Sequence, residues 1–242
     1  MYRFMKQILT ILVLAGVALA QTPAPKTAPA PAKAAPAKAK AAAPDLLNPS
    51  TLKARAPETY RVKFTTTKGD VILDITRAWA PLGADRFYNL VRADFFTNMT
   101  FFRVVPRFIV QFGISPRPDV AKAWFRANIA DDPVKQSNKR GTITFATAGP
   151  NTRTTQLFIN FSDNAGLDSQ GFSPFGQVVE GMDVVDKIYA GYGEQPDQGR
   201  LQSEGKAYTD KSFPMLDKIL TAMIVPVPAA DSKATPAPDT KK

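Results

Sequence analysis

The chain contains no cysteine and no histidine. Without thiols there can be no disulfide, no thiolate nucleophile and no cysteine-borne lipid anchor. Without imidazole, Ser-His-Asp and Cys-His sites, Cys/His zinc centres and proton shuttles working near neutrality all lack their atoms. Long apolar runs are equally scarce. The one candidate, Ile8 to Ala20, is shorter than the ~20 residues needed to cross a bilayer. Any chemistry must therefore rest on carboxylates, Lys, Arg, Tyr, hydroxyls, amides or the backbone.

Positive charge is abundant: 31 Lys and Arg stand against 21 Asp and Glu, a formal net charge of +10. Its placement decides what it means. Arg3 and Lys6 precede the apolar run, which closes on Ala18-Leu19-Ala20. That pattern predicts an export signal over residues 1–20, cleaved after Ala20. Residues 21–44 hold 11 Ala, 6 Pro and 4 Lys, with almost no bulky apolar side chain to bury. Residues 21–57 are accordingly read as a disordered Ala/Pro/Lys-rich linker, and residues 227–242, of similar composition, as a disordered tail.

The basic arm has the charge of a nucleic-acid grip but the wrong compartment once exported, so no nucleic-acid partner is expected. No stable membrane insertion after signal cleavage is expected either. The expected location is periplasmic or secreted. Within Glu58–Ala229 the count is 20 basic against 18 acidic residues, or +2, so the folded domain, placed at 58–226, is nearly neutral.

In that domain Val62, Phe64 and Thr66 alternate with polar residues, as do Val71, Leu73 and Ile75 beyond a Thr67-Lys68-Gly69-Asp70 turn. This predicts an antiparallel hairpin with one buried face. Pro81 suits a helix start, and Ala84, Phe87, Tyr88 and Val91 form a helical stripe. Further strands are predicted at 100–105, 108–112, 141–147, 157–161, 175–179 and 218–225, and a second helix at 182–190. Residues 114–140 and 192–213 show weak periodicity and read as long loops. Many short strands with two substantial helices favour a mainly β, closed barrel.

Two segments carry the chemistry: Phe101–Gly113 (FFRVVPRFIVQFG) and Gly141–Phe161 (GTITFATAGPNTRTTQLFINF), followed by Phe175–Ile188 (FGQVVEGMDVVDKI). In order and spacing they closely resemble the signature segments of the cyclophilin peptidyl-prolyl isomerases. The resemblance implies a closed eight-stranded antiparallel β-barrel capped by two α-helices. It also implies cis/trans isomerisation of Xaa-Pro bonds with no cofactor and no metal, proline-containing unfolded or extended polypeptides as partners, and a monomer.

Position by position, the resemblance makes Arg103 the hydrogen-bond donor to the prolyl nitrogen and Gln111 its polar neighbour. Phe108, Ile109, Phe158 and Leu167 match the apolar proline pocket. The backbone at Thr147, flanked by Ala146 and Ala148, matches the strand that holds substrate, and Gln156 the second groove glutamine. The chain also departs from the family. Phe102 replaces a His beside Arg103, Ile109 a Met, Leu157 a Phe and Arg107 a Gly. Phe172 takes the place of a groove histidine. Gly166 stands where many members carry the tryptophan that contacts cyclosporin, so weak binding of that drug is expected. An alternative of another class, a proline-segment-binding chaperone or scaffold with little catalysis, would need the pocket but not a charged donor such as Arg103.

Overall fold

The computed structural model describes residues 45–227. The expected export signal, the greater part of the linker and nearly all of the tail lie outside the described residues. The strands are β1 (Thr59–Thr66), β2 (Gly69–Thr76), β3 (Met99–Thr100), β4 (Arg103–Val105), β5 (Ile109–Phe112), β6 (Thr142–Phe145), β7 (Leu157–Asn160), β8 (Pro174–Glu180) and β9 (Lys218–Val225). They form one antiparallel sheet in the order β3-β9-β1-β2-β8-β6-β7-β5-β4.

The architecture is mainly β, as expected, but the sheet has nine strands and its end strands β3 and β4 are not paired with each other. The expected continuous strand 100–105 is broken at Phe101 and Phe102. Both rings are buried, but Phe101 joins the main core while Phe102 joins a separate cluster. Strand β3 pairs only with β9 and β4 only with β5, so the sheet curls without closing.

Alternation does its expected work in the hairpin. Val62 and Phe64 on β1 and Val71, Leu73 and Ile75 on β2 are buried in register. Helix α1 (Pro81–Arg92) begins on its proline and buries Ala84, Phe87, Leu90 and Val91. Its first N–H groups lack a local cap. The Asp132 carboxylate accepts from Leu82 N and Gly83 N at 3.0 and 2.9 Å instead, supplying negative charge where the helix dipole favours it. The core is phenylalanine-rich, with Phe64 edge-on to Phe112 at 5.8 Å and Phe87 tilted against Phe175 at 5.3 Å.

The two segments read as loops are partly helical. Helix α2 (Pro118–Trp124) lies in the first. The second helix expected at 182–190 is shorter, α3 (Met182–Asp186), although Val185 and Ile188 are both buried. Helices α4 (Gln198–Glu204) and α5 (Lys206–Ser212) fill the second long segment. They are short and contribute few apolar residues each, which is why periodicity alone misses them.

Residues 45–57, read by composition as the end of the linker, pack on the domain. Ala54 N donates to Asn89 Oδ1 at 3.0 Å, and Ala56 N to Asp85 Oδ1 at 2.9 Å. Trp124 Nε1 donates to Leu46 O at 2.9 Å.

Candidate active site

In an antiparallel sheet, residues directly opposite one another share a face. Arg103 on β4 is paired with Gln111 on β5, Gln111 with Phe158 on β7, and Phe158 with Thr144 on β6. These four therefore form a row across the sheet. Their strand neighbours Val104, Val110, Phe112, Leu157, Ile159, Ile143 and Phe145 point the other way, into the core. The row lies on the face opposite the main core, on a platform whose position is fixed from behind.

The polar end of the row is a chain of hydrogen bonds. Arg103 Nη1 donates to Gln111 Oε1 at 3.2 Å, and Gln111 Nε2 donates to Gln156 Oε1 at 2.8 Å. Each amide thus has a defined orientation, with Gln111 presenting its oxygen to the guanidinium. Arg103 lies with its guanidinium carbon 6.0 Å from the Phe108 ring centroid, at the outer limit of a cation–π contact.

The apolar end follows. Phe158 is buried and meets Phe172 edge-on, centroids 5.7 Å apart. Ile109, two residues before Gln111, shares its face and is buried. Phe108 is half-buried at the entrance to β5. Leu167 is half-buried on a 3-10 turn, Ala165–Gln170, in which Gly166 is exposed. Asn164 Nδ2 ties that turn to Phe108 O at 3.0 Å, and Phe172 N donates to Leu167 O at 3.3 Å.

Asp168 holds the turn from behind, accepting from Ser137 Oγ, Asn138 N and Asn138 Nδ2. Burial opposes the charged form of Asp168, but these hydrogen bonds outweigh it and keep its carboxyl below the usual range.

Beyond β6, Ala146 N donates to Gln156 O at 2.9 Å, closing that side of the groove. The Thr147 hydroxyl is engaged within its own turn, bonding Gly149 O and Thr152 Oγ1. Among the described residues no hydrogen bond uses the Thr147 N–H or C=O. Those two groups are free to receive an extended chain, as a sheet edge does. A cleft of about 430 Å³ takes in Gln111, Ala146, Thr147, Ala148 and Gln156, and runs outward between Trp124 on α2 and Gln198 on α4. Its lining does not include Arg103, Ile109, Phe158 or Phe172.

All eleven residues expected at the site fall on this surface, its cleft or the turn tied to it. Sequence reasoning misses Glu194, whose carboxylate meets Arg103 Nε at 2.6 Å and Nη2 at 2.5 Å. Nothing in the spacing of an acid in a Gly-rich segment links it to an arginine so distant in the chain. It also misses the role of Phe102, which is buried with Ile114, Leu201 and Tyr208 beneath the α4–α5 segment. Arg107 has φ +64°. With Pro106 before it and Phe108 N donating to Val105 O at 3.0 Å, it occupies the third position of a type II turn, where glycine is the ordinary choice.

The curled sheet is that of a cyclophilin. It superposes on a cyclophilin-type isomerase from Cryptosporidium parvum with TM-score 0.52 at 19% identity, covering 70% of this chain and 99% of that one. The structure of that isomerase in the presence of the dipeptide Ala-Pro gives TM-score 0.53.

Sequence relatives lie nearer. A peptidyl-prolyl cis-trans isomerase of Acinetobacter baylyi is 32% identical over 152 residues, covering 57% of this chain and 76% of the relative. Peptidyl-prolyl cis-trans isomerase A of Dickeya dadantii is 37% identical over 140 residues, 55% and 73% of the two chains. Isomerase B of Escherichia coli is 33% identical over 141 residues, 52% and 82%. Residues 61–206 match the family described as cyclophilin type peptidyl-prolyl cis-trans isomerase/CLD, and the chain belongs to that family.

Proposed function

We propose that the protein catalyses cis/trans isomerisation of Xaa-Pro peptide bonds in extended polypeptides, and that it assists the folding of exported proteins outside the cytoplasm. The observation that carries the activity is the row itself: a charged, oriented donor, Arg103 on β4, in line with an apolar patch made by Ile109 on the adjacent β5, Phe158 on β7 beyond it, and Phe172.

The barrier to be lowered is the double-bond character of the amide, about 18–20 kcal/mol, which leaves uncatalysed rotation at tens to hundreds of seconds. As the bond twists, the prolyl nitrogen turns pyramidal and recovers its lone pair. A donor directed at that lone pair stabilises the twisted state more than either planar one. Arg103 is permanently charged, and its guanidinium has five N–H groups. Glu194 accepts from Nε–H and pairs ionically with Nη2, and Gln111 takes one hydrogen of Nη1. One N–H on Nη1 and those on Nη2 remain for substrate.

The proline ring rests on the Phe158 patch while the free N–H and C=O of Thr147 hold the flanking backbone. Rotation then proceeds about the one bond left unrestrained. No nucleophile, metal or cofactor enters the scheme.

Export rests on the N-terminal pattern of Arg3, Lys6 and Ala18-Leu19-Ala20. Chains crossing a membrane arrive unfolded and meet slow proline steps. The surplus positive charge then belongs mainly to the signal and tether. Exchange NMR on an Ala-Pro peptide tests the activity: faster cis/trans exchange at substoichiometric protein is expected, and an unchanged rate defeats it. N-terminal sequencing of the mature protein tests export, the expected first residue being Gln21.

A further inference from the structure

We infer that Glu194 is a positioning residue for Arg103, delivered to it by the α4–α5 segment, and that it sets the turnover of the isomerase reaction. The inference rests on the isomerase reading above. It starts from a docking arrangement that a solvating surface acid does not need.

Strand β4 is an end strand of the sheet, so one of its sides has no strand partner. The chain after α3 lies against that side, with Val104 N donating to Gly193 O at 3.0 Å. On the other side of Arg103, the Phe102 ring is buried with Leu201 of α4 and Tyr208 of α5. The segment therefore grips the residues immediately before and after Arg103.

Glu194 follows the docked Gly193, and its own anchorage continues down the chain. Pro196 is buried. Asp197 N donates to Tyr208 Oη at 3.0 Å, Asp197 Oδ1 caps α4 by accepting from Arg200 N at 2.7 Å, and the Arg200 guanidinium lies 4.2 Å from the Tyr208 ring centroid.

At the guanidinium, Glu194 Oε1 accepts from Nε at 2.6 Å and lies 2.5 Å from Nη2 in an ion pair, while Gln111 Oε1 accepts from Nη1. Two anchors on different edges of a planar group fix its plane as well as its position. Gln111 alone, at 3.2 Å, fixes one point and leaves rotation about it.

The ion pair itself adds little to stability, because the Glu194 side chain is 61% exposed. Its effect is on orientation: an arginine free to change rotamer presents its donor to the prolyl nitrogen for a smaller fraction of the time, and ångström misplacements cost up to ~10²-fold in rate.

The test uses the full chain and the Ala-Pro exchange assay. Glu194→Ala is expected to lower kcat about tenfold while KM stays within about twofold. Glu194→Gln keeps an acceptor oxygen and is expected to retain about a third of wild-type kcat, since a neutral acceptor makes the weaker hydrogen bond. In an Arg103→Ala background Glu194→Ala is expected to change nothing further, which a merely structural role would not produce. The Arg103 Nε–H resonance is expected to be resolved and slow to exchange with water in the wild type, and to merge with those of solvent-exposed arginines in Glu194→Ala.

An unchanged or raised kcat in Glu194→Ala overturns the inference, as does an equal loss in the Arg103→Ala background. An inactive wild type defeats the isomerase reading instead, and the Nε–H resonance still reports whether Glu194 clamps the arginine.

Discussion

Truncating Arg103 to alanine removes the charged donor and leaves the rest of the row in place. Gln111 loses the partner of its oxygen but keeps its 2.8 Å bond to Gln156, so the amide holds its position. Phe158 and Phe172 keep their contact, since neither depends on the arginine. The deletion thus separates catalysis from binding. One preorganised charged donor is worth about 3–4 kcal/mol, so kcat is expected to fall about 10²–10³-fold. Peptide affinity, carried by the apolar patch and the Thr147 backbone, is expected to change less than about threefold.

Arg103→Lys keeps the charge but puts it on one nitrogen. That nitrogen cannot serve Glu194, Gln111 and the substrate in the same geometry, so a loss of about tenfold or more is expected. Exchange NMR, titrating enzyme against an Ala-Pro peptide, reads both variants, and a thermal melt checks the fold. An Arg103→Ala variant with more than about a third of wild-type kcat would falsify the role given to the guanidinium, whatever the fold.

Three further perturbations probe what supports the row. Phe102→Ala opens a cavity among Ile114, Leu201 and Tyr208. A cost of about 3–5 kcal/mol is expected, concentrated in α4 and α5, where amide hydrogen exchange should rise well before that of β1 and β2. Arg107→Gly relieves a side chain held at φ +64° and is expected to stabilise the protein by about 1 kcal/mol, read as a higher denaturant midpoint at unchanged slope.

Asp168, depressed by its hydrogen bonds from Ser137 and Asn138 despite partial burial, contributes stability that is fully present above the unfolded carboxylate pKa of about 3.9 and is lost as pH falls through the lower folded value. Asp168→Asn is therefore expected to be less stable than wild type at pH 7, with the difference shrinking below about pH 4. A gap that stays constant down to pH 2 contradicts the assignment.

Much of the site was legible because residues 101–113 and 141–161 resemble the cyclophilin signature segments in order and spacing, and strand pairing then sets Arg103, Gln111 and Phe158 in one row. The helix from Pro81 and the hairpin of β1 and β2 were readable for another reason: a repeat of 3.6 or 2 residues survives in the chain as a pattern.

Helices α4 and α5 were not readable, because each is two turns long and their apolar residues are completed by Phe102 and Ile114 from elsewhere in the chain. Residues 45–57 looked like linker because much of their anchorage uses backbone groups bonded to Asn89, Asp85 and Trp124, with only the scattered side chains of Leu46, Leu52 and Ala56 packed on the core. Backbone bonding leaves no compositional trace.

The sequence by itself determined the kind of chemistry. The absence of thiol and imidazole excludes their chemistries, and the resemblance of residues 101–113 and 141–161 to the cyclophilin signature segments then singles out an arginine donor, two glutamines and a phenylalanine for a reaction that needs a fixed donor and an apolar surface. The tertiary structure alone decided how that donor is held. The pairing of Arg103 with Glu194 and the division of Phe101 and Phe102 between two cores are contacts between distant segments. Their geometry is set by how the sheet curls and leaves β4 uncovered by another strand, and no local periodicity encodes it.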